Sequence, residues 1–371
     1  MDRRRFLTRT SAAAAGLVLT AGCAPGRLSR PEPLPPASRF GITPVRVSHE
    51  RVVRTIAGLR PYRAAGYVVR VDRYDDRPVI HNYGHGGGGI TLAWGSSLEA
   101  VELAMETGHR AFAVLGCGVM GLTTARLLLD RGCTVTIYAR ELSPHTTSNV
   151  AGGQWSPASV SSSSATTEDF ERRLERALRR SNARFQTLVG PRYGVRWIDN
   201  YSLRTSPPPA LGGPIADLFA DEVRLGPGEH PFPTPWVTRY TTLIIEPNTF
   251  LPALEDDVLL RGGRIRKREF HGLEEVLALD EPAIMNCTGL GARDLFGDED
   301  LTPIKGQLAV LLPQPEVDYI TLSGGSYMFP RSDGIVLGGS HERGEWSLDN
   351  TPEVIDRIVS GNAAVFDAMR P

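Results

Sequence analysis

Ala111-Phe112-Ala113-Val114-Leu115-Gly116-Cys117-Gly118-Val119-Met120-Gly121 is the stretch on which the fold turns. An apolar run of strand length meets G-x-G-x-x-G, and the helical pattern Leu122–Arg131 follows. Gly132 and a second strand, Cys133–Tyr138, complete a compact βαβ unit. Glycines let the backbone turn tightly and approach a pyrophosphate, whose charge the helix N-terminus stabilises. Glu141 stands at the end of the second strand, placed to accept a bond from an adenosine ribose hydroxyl. Arg140 beside it would also suit a 2′-phosphate. Gly116, Gly118, Val119, Met120 and Gly121 are therefore dinucleotide-binding candidates, and the loop alone leaves NAD and FAD both open.

More than a hundred residues precede this loop. Among them is His81-Asn82-Tyr83-Gly84-His85-Gly86-Gly87-Gly88-Gly89-Ile90-Thr91-Leu92-Ala93-Trp94-Gly95. Consecutive glycines are costly to order, so a ligand lying against the backbone is the best account of them. Farther upstream, Gly58-Leu59-Arg60-Pro61 holds an arginine, the natural bidentate partner of an α-carboxylate. Downstream come Tyr138–Pro157, Asn286–Ala292, Lys305-Gly306-Gln307 and Ser326-Tyr327-Met328-Phe329-Pro330.

Taken together, these motifs resemble the D-amino acid oxidase family. The glycine run is similar to that family's C-terminal flavin motif, and the Arg60 stretch to its substrate-carboxylate motif. The nucleotide loop is similar to its N-terminal end, so the chain reads as a circular permutation with the last stretch placed first. The resemblance implies an α/β fold: a Rossmann-like FAD-binding domain with an interleaved antiparallel-sheet substrate domain. It implies FAD as cofactor, contacted by Thr146, Thr147, Ser148, Gly152, Gly153, Gln154, Trp155 and Thr288. On the glycine run it implies Gly86, Gly87, Gly88, Gly89, Ile90 and Thr91. Arg60 and Tyr327 would hold the substrate carboxylate and the Gly87 carbonyl its amine. The implied reaction passes a hydride from Cα to the flavin, giving an imino acid that hydrolyses to a keto acid and ammonia. Dioxygen or another electron acceptor then reoxidises the flavin, with hydrogen peroxide as the product from dioxygen. Hydride transfer calls for no protein acid or base, so orientation carries the catalysis. Other small amines such as D-aspartate or glycine, or binding without turnover, form the alternative. A second tyrosine of animal members, due near Ser323, is absent, and His341-Glu342-Arg343 reads as a solvated hairpin tip.

The chain has 371 residues, 41% apolar and 22% charged, enough for two cores. A formal net charge of −1 argues against a nucleic-acid partner. Cysteine and histidine spacing suggests neither a metal site nor a disulfide framework. Residues 1–23 form an export signal: Arg3-Arg4-Arg5-Phe6-Leu7 resembles the twin-arginine motif, and Thr20-Ala21-Gly22-Cys23 a lipoprotein box. The expectation is a periplasmic or cell-surface protein, lipid-anchored at Cys23, touching membrane only there. A Pro-rich tether follows over 24–44. Residues 45–110 would be the relocated C-terminal segment, 111–158 the βαβ FAD unit and 159–280 mainly substrate domain. Residues 281–303 would return to the FAD domain, and 304–371 would supply substrate-domain strands and a final helix. A homodimer is compatible with this reading.

Overall fold

The computed structural model describes residues Phe40–Arg370; the export signal and most of the tether lie outside them. The strand expected over Val45–Ile56 starts later, as β1 (Val52–Tyr62). Before it, Arg46 donates its N–H to Gln314 Oε1 (2.8 Å) and its carbonyl accepts from Gln314 Nε2 (3.0 Å), so a side chain takes the place of a strand partner. Strands β2 (Val68–Tyr74) and β3 (Arg77–Tyr83) form the hairpin expected around Asp75, which sits at φ 52°. Helix α1 (Gly89–Glu106) begins inside the glycine run, earlier than the apolar spacing from Ser96 predicts. Burial of Ile90, Leu92, Ala93 and Trp94 outweighs the poor intrinsic propensity of its first residue.

The βαβ unit forms as read, with β4 (Ala111–Leu115), α2 (Val119–Leu129) and β5 (Thr134–Ala139). A single turn α3 (Thr147–Val150) and the long amphipathic α4 (Glu168–Gln186) follow. Next come β6 (Val195–Arg204), β7 (Ala220–Leu225) and β8 (Trp236–Ile245). No expectation covered β6 or β7. In β6 the polar Asp199-Asn200 pair breaks the alternation, and Asn200 is buried on a hydrogen bond from Gln154 (2.9 Å). Helix α5 (Pro247–Leu260) starts on Pro247 after Glu246, with proline at its first position. The remainder is β9 (Arg264–Lys267), α6 (Leu273–Leu277), β10 (Ala283–Asn286), α7 (Ala292–Phe296) and β11 (Thr302–Leu311). Strands β12 (Tyr319–Ser323), β13 (Ser326–Arg331), β14 (Gly334–Gly338) and β15 (Glu342–Arg343) lead to α8 (Pro352–Asp367).

Two sheets result. One has the order β2-β3-β10-β4-β5-β9, parallel except for the β2–β3 hairpin; α1, α2 and α5 pack along the apolar core of one face. Strand β9 joins this sheet although it lies within the 159–280 stretch read as mainly substrate domain. The other sheet runs β1-β11-β14-β13-β12-β6-β8-β7, with β15 paired to β11. It is antiparallel as expected, apart from the parallel β6–β12 pair. Residues 52–83 thus feed both sheets: β1 edges the large one, while β3 lies inside the small one. Val45 and Val47 share a core with Ile358, Val359 and Phe366 of α8, so the first described residues pack on the last helix.

Candidate active site

A cavity of about 1220 Å³ runs from the nucleotide loop to the large sheet, larger than a drug-sized ligand needs. At the sheet, Arg60 comes from β1 and Tyr327 from β13, with β11 and β14 between them. Strands so ordered stand roughly 14 Å apart, so the two side chains meet only by lying across the intervening strands. Two glycines clear the way. A Cβ on Gly306 of β11 would sit 2.5 Å from Arg60 Nη2, and one on Gly338 of β14 would sit 2.2 Å from Tyr327 Cζ. The guanidinium and the phenol therefore rest on bare backbone, and Tyr327 stacks on Phe329 at 4.7 Å.

Arg60 Nη1 is buried and has no hydrogen-bond partner within the protein. A buried cationic donor left unpaired is costly, so the site is built for an anion. Burial pushes the Tyr327 hydroxyl above the usual phenol range, and the charge and hydrogen bonding of Arg60 partly oppose that rise. Tyr327 therefore stays protonated and able to donate. His341 also lines the cavity; burial, then the charges of Arg60 and Arg343, hold its imidazole below the ordinary range. The tip expected over His341–Arg343 is solvated at His341 and Arg343, with Glu342 partly buried between them. Glu342 Oε1 accepts from Gln307 Nε2 at 2.9 Å, and the Arg343 guanidinium lies 4.7 Å over the Tyr62 ring.

At the other end, Gly116, Gly118, Val119 and Met120 line the cavity, as do Arg140, Glu141, Thr146, Thr147, Ser148, Gly152, Gly153, Gln154 and Thr288. Ser148 Oγ accepts the Val119 N–H at 3.0 Å, tying α3 to the start of α2. Glu141 and Arg140 are half open to solvent and pair with Lys267 (3.4 Å) and Glu269 (3.3 Å). Gly121 stays off the cavity wall: its Cβ would stand 1.9 Å from the Gly116 carbonyl oxygen, so it serves the tight turn itself. Trp155 is likewise off the wall. Its ring is fully buried against Phe219, and its backbone N–H donates to the Leu243 carbonyl, so it packs rather than lines.

The glycine run needs a second explanation beside the ligand. Gly86, Gly87, Gly89, Ile90 and Thr91 line the cavity, but the backbone of Ala158 and Ser159 crowds Gly86 and Gly87. A Cβ on Gly86 would stand 2.0 Å from the Ser159 carbonyl oxygen, which already accepts the Gly87 N–H at 3.1 Å. Gly88 faces Val160 and leaves the cavity wall. Ser159 and Val160, at the start of a serine-rich stretch, are thus packing partners of the glycine run. Thr91 spends its hydroxyl on Ser156, accepting from its N–H (3.0 Å) and donating to its carbonyl (2.8 Å).

Asn82, Trp346 and Leu348 are among the lining residues that sequence reasoning did not single out. Asn82 is fully buried and gives its amide hydrogens to Ser97 and Thr124, while its Oδ1 has no partner. Trp346 and Leu348 line the cavity and are 50% and 61% exposed, apolar surfaces at its mouth. An isolated Trp-x-Leu amid charged residues was the available signal.

A family model described as FAD dependent oxidoreductase matches residues 111–370. This chain belongs to that family. D-amino-acid oxidase of Streptomyces coelicolor is 32% identical over 258 residues, 68% of this chain and 76% of the relative. Human D-aspartate oxidase is 30% identical over 256 residues, 66% and 74% of the two chains. Glycine oxidase from Bacillus cereus has the same fold at a TM-score of 0.54, with 14% identity across 71% of this chain and 81% of that one. The cofactor of this FAD-dependent oxidoreductase is FAD, and the cavity fits it. An orphaned buried acceptor at Asn82 suits a ligand rich in hydroxyl and N–H donors, and the Gly116 loop leaves backbone N–H groups at the start of α2 for a pyrophosphate. Residues 40–110 stand outside the family match, yet they carry Arg60, Asn82 and the glycine run.

Proposed function

We propose that this oxidoreductase oxidatively deaminates D-amino acids to keto acids and ammonia, and that Arg60 is the anchor of the substrate carboxylate. The unpaired, buried Nη1 of Arg60 beside Tyr327 is the observation that carries this reading. When bound, FAD supplies the acceptor for the hydride leaving Cα. The chain's own part is orientation: Arg60 and Tyr327 hold the carboxylate, and Gly87 offers its carbonyl to the amine. Tyr327, pushed up by burial, stays a donor and takes no proton from the substrate. The large substrate end is walled by Trp346, Leu348 and Leu322, which favours apolar side chains over charged ones. His341, a neutral imidazole able to donate a hydrogen bond at the cavity wall near Arg60, favours a second reading, an acidic D-amino acid such as D-aspartate.

Anaerobic mixing of the yellow holoenzyme with D-alanine, D-phenylalanine or D-aspartate tests this. Bleaching of the flavin absorbance is expected with a D-amino acid and not with its L-enantiomer; no bleaching by any of them would sink the proposal. Peroxide release in air, or its absence when a quinone is reduced instead, identifies the acceptor.

We also read the chain as a circular permutation. In support, the family match begins at residue 111, the conventional opening motif, while Arg60 and the glycine run precede it. The shared core of Val45 and Phe366 would let a short linker join the old order. A reordered chain, 111–371 followed by 45–108, should fold, bind FAD and turn over; insolubility with no bound flavin would count against the reading. Residues 1–23 are proposed as a twin-arginine signal that carries the folded protein out and leaves it anchored at Cys23.

A further inference from the structure

Asn286 ends β10 and Thr288 begins the turn that lines the cavity, with Gly289, Leu290 and Gly291 behind it. The Asn286 side chain shapes that turn. Its Oδ1 accepts the Thr288 N–H at 3.2 Å and the Thr288 hydroxyl at 2.7 Å, an Asx-type turn. A backbone N–H can only donate, so the oxygen of this amide must face Thr288. The amide nitrogen then faces the other way, 2.9 Å from Nδ1 of His81, the residue paired with Asn286 across the β3–β10 ladder. An amide N–H also can only donate, so His81 Nδ1 must accept, and its proton resides on Nε2. Nε2 lies 3.2 Å from Asp72 Oδ2 on β2, close enough for charge attraction but not aligned as a hydrogen bond.

One unambiguous donor therefore dictates the orientation of the Asn286 amide and the tautomer of His81. We propose that His81 is a positioning residue for FAD: its neutral ring locks the Asn286 amide, the amide shapes the Thr288 turn, and protonation of His81 releases that turn. In the imidazolium both ring nitrogens donate, so Nδ1–H would oppose the Asn286 amide hydrogens. The amide must then turn over, setting its own nitrogen against the Thr288 N–H and leaving that N–H without an acceptor.

The surroundings hold the ring neutral under ordinary conditions. His81 and Asn286 are both fully buried. The groups facing His81 are Asp72 and Arg70 from β2, Tyr83 from β3, Phe296 from α7 and Asp298 just beyond it. Burial dominates and lowers the imidazole to about 4, with Asp72 opposing the fall. Since the bound state requires the neutral ring, FAD affinity is flat near neutrality and declines as pH falls towards about 4.

Release of FAD from the full-length holoenzyme, followed by flavin fluorescence from about pH 8 to about pH 4, tests this, with far-UV circular dichroism at each pH to confirm the fold. Wild type should release flavin at the acid end while still folded. Asp72→Asn removes the charge that favours the imidazolium, so its midpoint should move lower by about half a unit. His81→Asn keeps an acceptor near Nδ1 but cannot titrate. It should hold FAD within about threefold of wild type at neutral pH and lose the acid step. His81→Leu should weaken FAD about tenfold or more at pH 8. Unchanged FAD affinity in His81→Leu, or an unmoved midpoint in both Asp72→Asn and His81→Asn, would overturn the assignment. If His81→Leu does not fold, the two conservative variants decide it.

Discussion

Replacing Arg60 by Ala removes, among the described arginines that line the cavity, the one with a buried, unpaired guanidinium nitrogen. Each hydrogen bond to a charged group contributes about 1.5–3 kcal/mol, and a carboxylate would take two from the guanidinium fork. Some of that loss is offset because water enters the vacated seat above Gly306. A net loss of about 3 kcal/mol corresponds to roughly two powers of ten in kcat/KM. FAD should remain bound, because no atom of Arg60 shapes the nucleotide loop. The assay is kcat/KM for a D-amino acid beside its amine analogue without the carboxylate. Wild type should prefer the amino acid strongly, and the variant should treat the two nearly alike. A fall below about tenfold, or a preference that survives the substitution, would mean that another residue holds the carboxylate. Tyr327→Phe should cost far less and act mainly on KM, since it removes one neutral hydroxyl.

Gly306→Ala places a methyl 2.5 Å from Arg60 Nη2, so the flexible guanidinium must shift. Steady-state kinetics should show kcat/KM down at least about tenfold with flavin content unchanged. Gly121→Ala meets the Gly116 carbonyl at 1.9 Å, a backbone atom that cannot step aside cheaply. Its FAD affinity should weaken by about a hundredfold, read as colourless protein after desalting. Replacing Arg3 and Arg4 by Lys should hold the protein in the cytoplasm, and fractionation showing normal export would remove the twin-arginine reading.

The FAD-domain sheet was legible wherever local chemistry and tertiary role agree. The β4–α2–β5 unit could be read because strand burial, glycine turn and helix start all follow one another in sequence. Arg60 and Tyr327 were legible through their motifs, but the reason they can meet was not. That reason lies in Gly306 and Gly338, on two other strands, and only the sheet order brings all four residues together. Gly86–Gly88 illustrate the opposite error. Their lack of side chains signalled close approach correctly, yet much of what approaches is the protein's own Ser159 backbone. Trp346 and Leu348 escaped notice because an exposed apolar residue has no periodicity to betray it. Strand β6 escaped because a central strand carrying Asp199 and Asn200 contradicts the alternation rule, its polar groups being satisfied by Gln154 and Thr241.

The place of β3 inside the FAD sheet has a consequence for how the chain is made. Its hairpin with β2 leaves the ribosome early, but its other edge pairs with β10, some two hundred residues later. Strand β1 waits still longer, for β11. During synthesis the hairpin therefore carries an unsatisfied strand edge through most of elongation, the kind of edge that recruits other chains. A nascent chain stalled anywhere before Ala283 should depend on chaperones and aggregate without them, whereas one stalled beyond Leu311 has both partners in hand.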